Sequence, residues 1–429
     1  MIFEQYNLTL PQLVLLFLFC LIVVVRVLPE IILGVLCSVV FWVENVFVGS
    51  ISVFWVLASV LMISTVFYII KNRSTDRVIS EGHGFLLWSF TWFAWMIVLW
   101  LCFPSNRWLF ARNWLAYTIL PSASLLFIAY DARRLGRLVY SFVITTVFSG
   151  LLSLSLVFAS LPSMLQNYAF VFRLFAVTNQ NGTYFAIPFA LSCLLLIFFA
   201  NRSRELILTV LCLLGLVFCA MVVILANARQ VVVALGISMV IYVLLAIISK
   251  NLRFTTLLVV MMVIFLGYQV GQGTSLQLRW LDLISGTDVS AGRFDVWQSS
   301  WEVFLQSPIW GSGMDYFGGY FAHNLFLDCM AGQGIVGLVF FLGYLVFIIR
   351  SSFNLLYSHN KSPGHEWSIV IVCLFIFSFL QLQVTAGFLY GWHFFWTSVL
   401  IWRLGTQAPK QSERIMTETN KSLTTFLSN

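Results

Sequence analysis

Long apolar runs separated by short polar breaks dominate the chain, near residues 51–70, 85–103, 114–130, 138–160, 183–200, 206–226, 230–249, 254–268, 333–349, 367–386 and 392–402. Most approach the ~20 residues that a helix needs to cross ~30 Å of hydrocarbon. Stretches such as residues 86–103, LLWSFTWFAWMIVLWLCF, are apolar on every side instead of alternating, so they predict helices and not the strands of a membrane barrel. Residues 12–48 are ambiguous, because Arg26, Pro29 and Glu30 interrupt a run that forms either one long span or a hairpin of two short ones. The expected fold is all-α and polytopic, with about twelve transmembrane helices.

Composition agrees with that pattern. Of 429 residues, 61% are hydrophobic and 9% charged, too little polar surface for a soluble globular domain, so most of the exterior is expected to face lipid. Nearly all eight cysteines fall inside apolar runs, which implies no disulfide framework. The opening MIFEQYNLTLPQ lacks a basic signal region and a small-residue cleavage site, and is expected to be retained.

Charge adds orientation. Sixteen basic residues, including all five lysines, fall on one side of the predicted spans. The other side holds Arg107, Arg112, Arg173, Arg229, Arg279 and Arg293, with Arg26 unassigned. By the positive-inside rule the lysine side is cytoplasmic and includes the tail 405–429. The outer face thus carries arginine without lysine, the residue type suited to planar, bidentate contacts with anions. Trp108 and Trp114 flank Arg107 and Arg112, which fits headgroup anchoring for that pair.

The segments divide as an N-terminal transmembrane bundle (1–267), a large outer loop (268–322), C-terminal transmembrane helices (323–404) and the tail (405–429). The loop is much longer than ordinary helix connections, and its tryptophans argue against disorder. From Arg293 to Gln306 the residues Phe294, Trp297, Trp301, Phe304 and Leu305 recur at helical spacing. They predict an amphipathic helix at the membrane surface, ended by Pro308 and the glycines at 311 and 313.

Candidate chemistry gathers after that loop. His323 and Asn324 open a predicted membrane helix, where the helix dipole and partial burial disfavour imidazolium and leave His323 able to act as a general base. A capping or interfacial histidine is the alternative. Asp328 lies about 140° round the helix from His323, so it is expected to meet Asn324 one turn back rather than orient the imidazole. Gly332, Gly334 and Gly337 are expected to permit close helix approach. Arg229 starts one apolar helix and Arg293 starts the loop helix; each either holds an anion or forms an ion pair, for instance with Asp288, Asp295 or Asp315. Arg173 and Arg279 are further candidates. No acidic DxD pair, P-loop, paired-cysteine spacing or GxSxG elbow occurs, so neither a metal nor another cofactor is expected.

Residues 323–337 resemble the pattern of the bacterial O-antigen ligase and polymerase superfamily: His, Asn, nine residues, then GxxG as GIVG. Ala291–Met314 resembles the family's preceding loop helix, NARQ at 227–230 its upstream arginine element, and TNQNGTYFA at 178–186, with Asn181, its polar entry to a middle helix. The resemblance covers about residues 170–350 and implies an integral-membrane glycosyltransferase at the periplasmic face of the bacterial inner membrane. The donor it implies is a glycan on undecaprenyl diphosphate; the acceptor is a lipid A-core sugar hydroxyl for a ligase, or another lipid-linked glycan for a polymerase. His323 would be the base, Arg229, Arg293, Arg173 and Arg279 the diphosphate contacts, and Asn324 and Asn181 secondary residues. The ligase is favoured because its histidine motif matches without a gap. Membrane lipids are expected partners and nucleic acid is not. The competing class, a transporter for a lipid-linked anion, predicts charge on both sides of the midplane and an inverted repeat, and neither is visible.

Overall fold

A computed structural model of the chain describes residues 29–43, 47–48, 51–72, 75–103, 118–128, 132–165, 182–203, 205–226, 228–249, 293–313, 316, 322–358, 365–383 and 391–406. The elements, in order, are α1 (Pro29–Val43), the two-residue antiparallel pair β1 (Phe47–Val48) and β2 (Ile51–Ser52), α2 (Val53–Asn72), α3 (Thr75–Cys102) and α4 (Leu120–Ile128). They continue with α5 (Ala132–Leu165), α6 (Gly182–Arg202), α7 (Leu206–Leu225), α8 (Arg229–Ile248), α9 (Arg293–Gln306), α10 (Leu325–Ser358) and α11 (His365–Leu382). A last helix, α12, covers residues 392–406. Apart from the minimal β pair the described fold is all-α. Among the described residues five helices, within α3, α6, α7, α8 and α10, are long and apolar enough to cross a bilayer, and the protein is a multi-pass membrane protein. The predicted runs at 12–28 and 254–268, and Arg26, lie outside the described residues.

Pro29, whose ring favours the first helical position, opens α1. The buried Glu30 carboxylate accepts a hydrogen bond from Arg137 of α5 at 3.1 Å. Such pairing compensates the cost of placing a carboxylate among apolar helices.

α6 is the central helix. It packs against α1, α5, α7, α8 and α11, and nearly every residue from Phe185 to Ala200 is buried. By contrast, α7 turns Leu206, Ile207, Leu211 and Leu214 outward, the exposed apolar face expected of a helix against lipid.

The second packing unit is built on α10, which contacts α3, α9 and α11. Trp88 of α3 donates its indole N–H to the Phe340 carbonyl at 2.7 Å, and Trp92 donates to Gln333 Oε1 at 2.8 Å. These bonds satisfy indole donors in an apolar setting. They also fix α3 antiparallel to α10.

Side-chain contacts establish which helix ends lie together. Gln230 at the start of α8 donates to Thr183 at the start of α6. Arg202, at the far end of α6, lies 4.0 Å from Glu366 at the start of α11, so the C-terminal part of α11 returns toward the beginnings of α6 and α8. Phe379 in that part meets Phe326, in the first turn of α10. The starts of α6, α8 and α10 therefore share one end of the bundle.

Candidate functional site

The first residues of α10 form the centre of this end. Asn324 is the N-cap: its Oδ1 accepts the backbone N–H groups of Phe326 and Leu327, each at 3.1 Å. That satisfies two of the donors a helix leaves free at its start. His323, half-buried, precedes the cap with φ 53°. It is the one non-glycine residue with positive φ among the described residues. Left-handed backbone costs a residue with a Cβ about 1 kcal/mol, and such conformations concentrate where surrounding contacts impose them.

Asp328 bonds the residue just before His323. Its Oδ1 accepts from the Tyr316 hydroxyl at 2.6 Å and from the backbone N–H of Ala322 at 2.7 Å. The expected side-chain meeting with Asn324 is therefore corrected. Asn324 spends its oxygen on the helix amides, its carbonyl accepts only the ordinary helical N–H of Asp328 at 2.9 Å, and the carboxylate turns back to the residue before His323. Tyr316 also lies beside Ser300 of α9, whose side chain is fully buried and donates to the Val296 carbonyl at 2.7 Å. Burial, with the neighbouring Asp328 carboxylate, holds the Tyr316 phenol well above its ordinary pKa, so it stays protonated and donates.

Six residues beyond Asp328, α10 breaks. Gly334 adopts φ 66°, ψ −167° inside it, and the turn after α9 fills the break. Ser312 and Gly313 donate their N–H groups to the carbonyls of Ala331 and Gly332 at 2.9 and 3.0 Å. Ile335 and Val336 donate to the carbonyls of Pro308 and Ile309 at 2.8 and 3.4 Å. Backbone groups that the break removes from the helical pattern thus regain partners, a requirement inside an apolar bundle. A Cβ on Gly334 would strike the Ile309 carbonyl, and one on Gly311 the backbone of Gly332. The expected close approach at these glycines is present, with the α9–α10 turn as the neighbour in place of another helix. Gly337 instead leaves room for the side chain of Gln333.

α9 matches the periodicity that predicts it. Ser300 and Phe304 are buried, whereas Phe294, Trp301 and Leu305 form an exposed apolar stripe and Asp295, Gln298, Ser299, Glu302 and Gln306 an adjoining polar one. After the helix, Trp310 packs on Trp95 of α3, their ring centroids 5.6 Å apart. This joins the stripe to the outward face of α3, as expected of an interfacial helix.

Arg229 and Arg293 are the first residues of α8 and α9, both half-buried. Arg229 shares the bundle end of His323, and Arg293 opens α9, which packs on α10. Arg173, Arg279 and Asn181, together with Arg107, Arg112, Asp288 and Asp315, lie outside the described residues. Among the described residues no three His, Cys, Asp or Glu side chains gather as a metal site. Sequence reasoning missed Tyr316 and Ser300. Neither stands in a motif, and each acquires its role only when the loop folds back on α10.

A family model described as O-Antigen ligase matches residues 214–342. The matched segment runs from α7 through α8 and α9 into α10 and contains Arg229, Arg293 and His323, so this part of the chain is similar to the O-antigen ligase family. The match supports a transferase of that broad type. No curated protein matches the chain.

Proposed function

We propose that this protein is an O-antigen ligase of the bacterial inner membrane, transferring a glycan from undecaprenyl diphosphate to a sugar hydroxyl of lipid A-core at the periplasmic face. The observation that carries the reading is a histidine held in left-handed backbone at the capped start of α10, at the same bundle end as Arg229 and inside the matched segment. In the proposed step His323 takes the proton of the acceptor hydroxyl. The acceptor oxygen bonds to the anomeric carbon from the face opposite the leaving group, so configuration inverts. The bond to the diphosphate oxygen breaks and its electron pair leaves on the diphosphate. Arg229 and Arg293, with Arg173 and Arg279, hold that group, and their hold strengthens as charge develops on it. The prenyl and acyl chains lie against apolar helix surfaces, and the step uses no metal.

The test is a reconstituted reaction with undecaprenyl-diphosphate glycan and EDTA, with and without lipid A-core, resolved by gel. Glycan on lipid A-core that depends on His323 is the expected result. Longer glycan on the prenyl carrier without lipid A-core would instead identify a polymerase. A donor left intact by protein that binds it would point to transport.

A further inference from the structure

We infer that Asp328 and Tyr316 are positioning residues, a clamp that holds the His323 turn in its working conformation and ties it to the loop helix that carries Arg293. The inference rests on the proposed role of His323 and adds how the base is held.

Its geometric basis is a short closed circuit. The Asp328 carboxylate, in the first turn of α10, reaches back to the amide of Ala322 at 2.7 Å, and the Asp328 amide is bonded to the Asn324 carbonyl at 2.9 Å. His323 lies between these anchor points with φ 53°. Relaxing its backbone to an ordinary conformation would move Ala322 or Asn324 and break one of the bonds. Ala322 is fully buried, so no water would replace the lost acceptor without opening the site.

The circuit extends outward. Tyr316 donates to the same carboxylate oxygen at 2.6 Å and lies against Ser300, seven residues along α9 from Arg293. The base and one proposed diphosphate ligand are thereby referred to a common point. Catalytic geometry is sensitive to such positioning, since a displacement of ~1 Å costs about a hundredfold in rate. A purely structural plug would be cheaper if apolar. Asp328 is 5% exposed and its Oδ2 has no hydrogen-bond partner among the described residues, a cost that packing alone does not require.

The test compares wild type, Asp328→Ala, Asp328→Asn and Tyr316→Phe in nanodiscs by two readouts. The first is hydrogen–deuterium exchange at the Ala322 amide, resolved by fragmentation. The second is steady-state transfer with the lipid-linked donor. Asp328→Ala is expected to speed exchange at Ala322 and to lower kcat by about tenfold or more while KM for the donor moves less than about threefold. Asp328→Asn, whose amide oxygen accepts the same N–H, is expected to restore most of both. Tyr316→Phe, which removes one hydroxyl, is expected to fall between them even if Asp328→Ala misfolds. Unchanged exchange in Asp328→Ala and Tyr316→Phe overturns the clamp, as does faster exchange with unaltered kcat. If wild type transfers nothing, the ligase reading fails, while the exchange measurement still decides whether Asp328 and Tyr316 hold the turn.

Discussion

The side chain of Asn324 caps α10, and the proposed base, His323, is the residue before it. Asn324 satisfies the free helix amides of Phe326 and Leu327. Of the two roles open at the outset, the cap falls on Asn324, and the base is the role proposed for His323. His323→Ala is expected to leave the protein folded and monodisperse while transfer falls by about a hundredfold or more, the scale of a lost general base; product formation on lipid A-core measures it. Asn324→Ala is expected to destabilise by about 1 kcal/mol, and Asn324→Ser to recover most of that loss, in thermal unfolding of the purified protein. Arg293→Lys separates charge from geometry. Lysine keeps the cation but loses the planar fork, so donor binding is expected to weaken in titrations with undecaprenyl-diphosphate glycan.

At the scale of elements, the turn over residues 308–313 and the break at Gly334 are two halves of one joint. Gly334→Ala places a Cβ against the Ile309 carbonyl at positive φ and is expected to lower the melting temperature and detach α9 from α10. Gly236 is the control: it lies in α8, and a methyl group added there would meet nothing within 4 Å. Gly236→Ala is expected to be neutral or to stabilise by about 0.5–1 kcal/mol through helix propensity. α9 was legible in the sequence because its pattern is local: an apolar residue every three or four positions and a terminating Pro–Gly turn. The joint was not, because it consists of backbone bonds between a turn and a helix interior, to which side-chain identity contributes chiefly the positive-φ glycines Gly311, Gly313 and Gly334. The start of α10 shows a related limit. Hydropathy alone begins the apolar run near residue 333, whereas the helix begins at Leu325. Asp328 and Gln333 lower the apolar signal of that first stretch, yet both are buried and find partners from Tyr316, Ala322 and Trp92.

For the whole molecule, the hydrophobic pattern discloses spans and the basic residues disclose sides, but neither tells which helix is central. α6 and α7 are both apolar throughout, and only packing makes one buried and the other outward-facing. The common end of α6, α8 and α10 follows from contacts between residues far apart in the chain, and it gives the predicted orientation a sharp test. Ser299 is exposed on α9 beside that end, while Glu205 is exposed in the connection between α6 and α7, at the opposite end and flanked by Arg202 and Arg204. Cysteines placed at these two positions report the sides separately, with Cys102, the one exposed native cysteine among the described residues, changed to serine. In right-side-out spheroplasts a membrane-impermeant maleimide is expected to label Ser299→Cys directly and Glu205→Cys only after lysis. The opposite pattern would put His323 and Arg229 on the cytoplasmic face, against the positive-inside rule, and the proposed periplasmic transfer would fail together with the orientation.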